Sequence, residues 1–256
     1  LDMQEQTLTG TPQIAQVDPG YAAAAGGVPE MNVLYTPFLF DDIEDVNAVL
    51  DSDLMQEWVD ELKKGGLHSI TWDFYFGERH IIANEGYPQP EDLEGVKIRV
   101  PPNPAWVATF KALKTSPVTL EFSEIYTGLQ QGVVEAAESP FSSLKASSLY
   151  EVADTVTLTS HFKAISGWAT SVEFWESLPP EYQEIITEEF AAGAEFMTET
   201  TLEQEDVLRA EFEDELGVTL VEPDIEAYRE AAQPFYDAFP EFREGLQEQL
   251  LEIMGR

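Results

Sequence analysis

Short apolar, β-branched runs alternate with stretches of helical periodicity along most of the chain. The runs are IAQV (Ile14–Val17), MNVLY (Met31–Tyr35), LHSITW (Leu67–Trp72), RHIIAN (Arg79–Asn84) and VKIRV (Val96–Val100), and each predicts a strand. Between them, stretches such as DVNAVLDSDLMQEWVDELKKGG space their apolar residues for one helix face and stop at Gly65 and Gly66. Strands alternating with helices predict α/β layers.

Two helices carry readable start signals. Asn103 is a good N-cap and Pro104 suits the first helical position, after which Trp106, Phe110 and Leu113 share a face. Ser123 is expected to cap EIYTGLQQ, which Gly132 ends. Further on, Pro180 to Leu216 reads as one helix interrupted only by Gly193. At about 1.5 Å per residue it would reach about 50 Å, longer than one small lobe is wide. With no heptad seam, it suggests a spine lying across two lobes. VTLV (Val218–Val221) predicts a last strand, and the tail from Pro223 to Met254 is helical and acidic.

Composition narrows the classes. A chain of 256 residues with 43% hydrophobic and 11% aromatic residues can bury a sizeable core, so its acidity does not imply disorder. There is no cysteine, hence no disulfide, thiolate metal site or cysteine nucleophile. No apolar run is long enough to cross a membrane. The sequence opens on Leu1 without a charged-then-apolar leader, so any targeting segment is expected to lie outside it.

The net charge is −36, from 49 acidic and 13 basic residues. Nucleic acid is excluded as a partner, because neutralising phosphates takes Lys and Arg, and anionic membrane surfaces are disfavoured for the same reason. A Glu/Asp-rich, Lys-poor surface is what keeps a protein hydrated in concentrated salt, as in halophiles. The distribution says more. Residues 1–95 carry 19 acids and 3 bases, residues 171–256 carry 24 and 4, and residues 96–170 carry six of each. Either the neutral middle is the most buried third, or an anionic ligand approaches there.

Enzyme signatures are absent: there is no G-x-S-x-G, H-E-x-x-H, P-loop or G-x-G-x-x-G. Ser142 to Lys145 reads S-x-x-K, a short pattern that no K-T-G follows. His68, His80 and His161 lack metal-ligand spacing, so no metal and no cofactor is expected. Of six arginines, Arg209, Arg229, Arg243 and Arg256 lie on the acidic helices or the terminus, where solvated ion pairing explains them. Arg79 and Arg99 sit at strand positions. A guanidinium there is costly unless paired, and it offers a planar fork for a carboxylate. The partner is either an internal acid, such as Glu138, or a ligand.

EDLEGVKIRVPPNPAWVATFKAL, followed by PVTLEFSEIYTGLQQGVVEAAESPFSS and LYEVADTVTLTSHF, resembles the solute-binding proteins of TRAP transporters, the dicarboxylate-type family. Several spaced motifs occur in order, and the likeness covers essentially the whole chain. It implies that roughly fifty residues of the mature protein precede the segment beginning at Leu1. It also implies a two-lobed, periplasmic-binding-protein-like α/β fold with a long helix spanning both lobes. The lobes are expected over 1–76 with 165–205, and over 77–164 with 206–256. Arg99 matches the family's ligand-binding arginine and Arg79 a second cationic position, although WDFYFGERH departs from the commoner N-G-x-R. Phe122 matches the aromatic residue of F-S-E-x-Y, Asp18 a position that is often polar or acidic in the pocket, and His161 a position at the lobe crossing near the pocket. Ser139 stands where the family usually reads asparagine, which leaves more room for a bulkier ligand or for water. Trp106 and Trp168 are candidates for an aromatic wall.

The implied function is an extracytoplasmic, periplasmic subunit, not an enzyme. It captures an organic acid between two lobes and delivers it to TRAP permease subunits in the membrane without itself inserting there. A carboxylate-sensing module is the alternative. An enzyme acting on a carboxylate would need an acid–base or nucleophilic group beside Arg99, and no motif supplies one.

Overall fold

The computed structural model describes Thr7 and residues 13–256. Two sheets organise it. The first has three antiparallel strands in the order β1 (Ala15–Val17), β8 (Lys163–Ser171), β2 (Leu67–Glu78). The second has six, in the order β5 (Ser116–Thr119), β4 (Lys97–Val100), β6 (Ala136–Ser139), β3 (His80–Ala83), β7 (Thr155–Thr157), β9 (Thr219–Val221). Here β4 runs parallel to β5 and β6, and β7 parallel to β9, whereas β3 is antiparallel to both its neighbours. These are the α/β layers that the alternating runs predict.

The RHIIAN run shows why a continuous apolar strand forms. Successive side chains point to opposite faces, and both faces of this sheet are covered. Ile81 joins Ile98, Phe110, Tyr228 and Phe235 on one side. Ile82 joins Leu144, Leu149 and Phe212 on the other. The first sheet has its own core around Trp58, Leu62 and Leu67, supplied by α2 (Ile43–Leu50) and α3 (Asp53–Lys64), which Ser52 caps through Met55 N–H. Leu246 and Leu250 of the last helix, α10 (Leu246–Ile253), also belong to that core.

Three local expectations change. Met31–Tyr35 is not a strand but part of a 3-10 helix over Pro29–Tyr35. All five of its residues are buried, so the run is apolar because it is enclosed on every side, and such a run carries no period to separate strand from helix. Ser123 does not cap α5 (Ile125–Gln130). A 3-10 turn over Phe122–Glu124 precedes that helix, and Glu121 and Glu124 cap the turn reciprocally. Gly193 does not interrupt the long helix, which is continuous as α8 (Pro180–Asp214) and ends two residues before Leu216. Gly132, at φ +68°, does end α5 as expected.

Two strand connections pass between the sheets side by side, with Arg79 N–H bonded to Phe162 O. β2 ends at Glu78 and β3 begins at His80; the return runs from Thr157 to Lys163, and Glu78 pairs with Lys163 in the β2–β8 ladder. α8 spans the same junction. Thr198 and Thr201 hydroxyls donate to Asp73 O and Tyr75 O of β2, while Phe212 inserts into the far core against Phe141 and Tyr150. Phe212→Ala should therefore cost about 3–5 kcal/mol in chemical denaturation, the range for emptying a buried aromatic site. A cost under about 1 kcal/mol would show that the helix end is not anchored there.

Candidate functional site

The sequence makes a pocket at the crossing by local means. Asp18 follows β1, where its side chain accepts Tyr21 N–H and caps α1 (Pro19–Ala25). Across from it, Asn103 caps α4 (Pro104–Ala112) through Ala105 N–H, and its amide nitrogen donates to Asp18 Oδ1 at 2.9 Å. The two helix starts meet so closely that a Cβ on Gly20 would lie 2.5 Å from Asn103 Nδ2. Beside this contact lies a cleft of about 920 Å³, bounded by α1 and the Pro29–Tyr35 helix on one side. The ends of β4 and β6, the start of α4 and Phe122 bound the other. Asp18, Arg79, Arg99, Trp106, Phe122 and Ser139 all line it.

The two arginines are in different electrostatic states. Arg79 is committed internally. Its Nε and Nη2 donate to Glu138 Oε2 at 2.5 Å and Oε1 at 2.9 Å, and Nη2 also reaches Glu138 O at 3.2 Å. Glu138 is fully buried. It further accepts Trp106 Nε1–H at 3.0 Å and lies 3.3 Å from His161 Nε2, while His161 Nδ1 is 2.7 Å from Thr159 Oγ1. Burial pushes the His161 pKa down, although Glu138 acts the other way. A neutral ring would donate Nε2–H to the ionised Glu138 and accept the Thr159 hydroxyl. Burial alone would raise the Glu138 pKa, but Arg79 and the His161 hydrogen bond bring it down to about 2.

Arg99 has no such partner. It is 3% exposed, its Nε donates to Leu120 O at 2.9 Å, and it forms no salt bridge with any described residue. Its guanidinium sits 5.9 Å from the Phe122 ring, which is itself nearly half exposed. Burial, with the Arg79 charge adding to it, pushes the Arg99 pKa below its usual value, although Glu138 and Glu121 act the other way. A guanidinium with unused N–H groups thus faces the cleft.

Two expected residues are not at the cleft. His161 is 1% exposed and acts from behind, through Glu138. Trp168 points out of β8 towards α8, packing on Phe74 and Phe190 at 6.0 and 5.3 Å between ring centres. Strand alternation decides this: a one-residue change in parity moves a side chain to the other face. Sequence reading passed over Tyr21 and Asn32, which line the cleft, and Asn103, whose capping signal was legible but not its bond to Asp18. Lys145 of the S-x-x-K pattern pairs with Glu211 at 2.6 Å.

Glu78, His80 and Glu205 offer ligand atoms within 4.8 Å of one another, the spacing a metal ion would need. The hydrogen bonds argue against one. His80 Nδ1 accepts Ser160 N–H at 3.2 Å, so in the neutral ring Nε2 carries the proton and has no lone pair to give. Glu78 already accepts Lys163 Nζ and the Ser160 hydroxyl, and Glu205 Oε1 accepts Glu78 N–H at 2.9 Å. This network braces the crossing.

A family model for bacterial extracellular solute-binding proteins, family 7, matches residues 1–242. The ectoine-binding periplasmic protein TeaA of Halomonas elongata is 29% identical over 98% of this chain, which spans 75% of that relative. The sialic acid-binding periplasmic protein SiaP of Vibrio cholerae is 30% identical over 83% of this chain and 66% of its own length. A TRAP periplasmic solute-binding protein from Fusobacterium with bound sn-glycerol-3-phosphate superposes with a TM-score of 0.94 at 30% identity, covering 99% of this chain and 82% of the other.

Because the Glu138 pKa falls from 4.5 to about 2 on folding, its contribution to stability is complete above about pH 4.5 and is lost as pH falls towards 2. Glu138→Gln should cost about 3–5 kcal/mol at neutral pH by leaving Arg79 uncompensated. It should also flatten the acid limb of stability measured in urea. Equal acid limbs for the two proteins would contradict the Arg79–Glu138 lock.

Proposed function

The chain belongs to the bacterial extracellular solute-binding proteins of family 7, and from that premise we propose that it captures an organic acid in the cleft, with Arg99 as the anchor. One observation carries the reading: Arg99 is buried, has no acidic partner among the described residues, and lines the cleft. Its free N–H groups can take a carboxylate bidentately. Phe122 and Trp106 supply apolar and ring contacts, and Ser139 and Asp18 supply hydrogen-bonding groups.

We take residues 1–76 and 165–205 as one lobe and 77–164 and 206–245 as the other, with α10 returned to the first because Leu246 and Leu250 share its core. A carboxylate held by Arg99 gains contacts with the α1 side only when the cleft shuts. That difference in affinity between open and closed forms is what would shift the population, since equal affinity shifts nothing. The closed form would then be presented to membrane permease subunits. None of the helices among the described residues is long and apolar enough to cross a membrane itself. The family works outside the cytoplasm, and this chain would deliver its ligand from the periplasm.

Catalysis is not part of the reading. Ser139 and Ser143 line the cleft without a hydrogen-bonded base, and His161 is engaged with Glu138 and Thr159. The ligands named for the similar proteins, ectoine, sialic acid and sn-glycerol-3-phosphate, are consistent with an arginine-anchored acid.

Arg99→Lys should weaken carboxylate binding by roughly 10- to 100-fold, because an ammonium cannot make the paired charge-assisted bonds. Calorimetry against the binding members of a carboxylate panel, with sn-glycerol-3-phosphate as a phosphate arm, checks this. Circular dichroism should show the ligand-free fold unchanged. Unaltered affinity would remove Arg99 from the site.

A further inference from the structure

We propose that the organic acid taken by this cleft has an apolar body, aliphatic or aromatic, and that the cleft discriminates against polyhydroxylated acids. This rests on reading Arg99 as the carboxylate anchor and names the class of acid held at that same site.

Most polar side chains on the lining are already engaged by the chain itself. Asn103 is used at both ends: its Oδ1 accepts Ala105 N–H and its Nδ2 donates to Asp18. Asp18 accepts Tyr21 N–H as well. Arg79 is held by Glu138, which also takes the one donor of the Trp106 indole, so ring carbon is what Trp106 has left to offer a ligand. Glu121 and Glu241 are exposed and hydrated. Beside the Arg99 N–H groups there remain the Ser139 and Ser143 hydroxyls and the buried Asn32 Oδ1, each without a partner among the described residues.

The rest of the described wall is apolar and offers few backbone donors. Pro29, Pro101, Pro102 and Pro104 line the cleft and have no N–H. Ala23, Ala24 and Ala25 line it from α1, whose backbone bonds run within the helix, as from Ala22 N–H to Asp18 O and from Gly26 N–H to Ala22 O. Phe122 gives the wall its direction. Its ring lies 5.9 Å from the Arg99 guanidinium and is 45% exposed, so a large apolar face stands in water next to the anchor. A ligand body laid on that face while its carboxylate meets Arg99 removes apolar surface from water on both partners. A sugar acid carries a hydroxyl on most of its carbons, and each one moved from water onto proline, alanine or ring carbon loses hydrogen bonds that the wall does not return. The cleft, at about 920 Å³, has room for an extended or ring-shaped body.

The test is calorimetry at fixed ionic strength on acids matched in carbon skeleton. The pairs are cyclohexanecarboxylate with quinate, its tetrahydroxy counterpart, and hexanoate with galactonate, its pentahydroxy counterpart. In each pair the apolar member should bind roughly tenfold tighter or more, with a negative heat-capacity change. A polyhydroxylated member that binds as tightly as its apolar partner overturns the proposal while leaving Arg99 as the anchor, and so does a wider carboxylate panel in which polyhydroxylated acids alone bind. Silence across all carboxylates overturns the anchor as well. Phe122→Asn should weaken cyclohexanecarboxylate binding by roughly tenfold and Phe122→Leu by much less, because leucine keeps an apolar face. Neither should lower the melting temperature of the free protein, since the ring is half in solvent. Equal losses in the two variants, or no loss in either, would overturn the apolar contact at Phe122.

Discussion

A guanidinium withdrawn from water without a counter-ion is the constraint on which the cleft is built. Desolvating a charge is costly, and folded proteins normally meet that cost with an internal partner or expose the group. Arg99 does neither. β4 fixes its backbone between β5 and β6, Leu120 O takes one N–H, and the Phe122 ring shields one side. What remains is a preorganised positive group on the lining of the cleft.

The neighbouring arginine shows how this state is maintained. Among the described residues there is one buried carboxylate at the crossing, Glu138, and Arg79 holds it from two nitrogens while Trp106 and His161 fill its other positions. Glu138 is thus saturated and cannot turn to Arg99. The same group braces the place where the chain changes sheets, so one hydrogen-bonded cluster fixes Arg79 and Trp106 at the cleft and ties β6 to the crossing. Closure of the halves would act on a site whose rigid parts are already set.

Much of this was legible in the sequence, and what was not has physical reasons. The strand around Arg99 and the helix beginning at Pro104 are local signals, a β-branched run and an Asn–Pro cap, and both are found where they were expected. α8 was legible because no proline falls inside it after Pro180 and a single glycine, Gly193, is not enough to break a 35-residue helix. Met31–Tyr35 was misread because uniform burial erases periodicity. Trp168 was misplaced because parity on a strand with bulges cannot be counted from sequence, and β2 shifts register against β8 three times. The choice of Glu138 for Arg79 rather than Arg99 is a tertiary fact: the two arginines are similar in sequence context, and only the β3–β6 register, His80 opposite Ser139, brings Arg79 to that carboxylate.

The most direct measurement is a high-resolution crystal structure of the protein with a carboxylate ligand bound. The account predicts both carboxylate oxygens on the Arg99 guanidinium, with Arg79 still on Glu138. A ligand carboxylate bound to Arg79 with Glu138 displaced, or Arg99 turned onto Glu121 beside an occupied cleft, would contradict it.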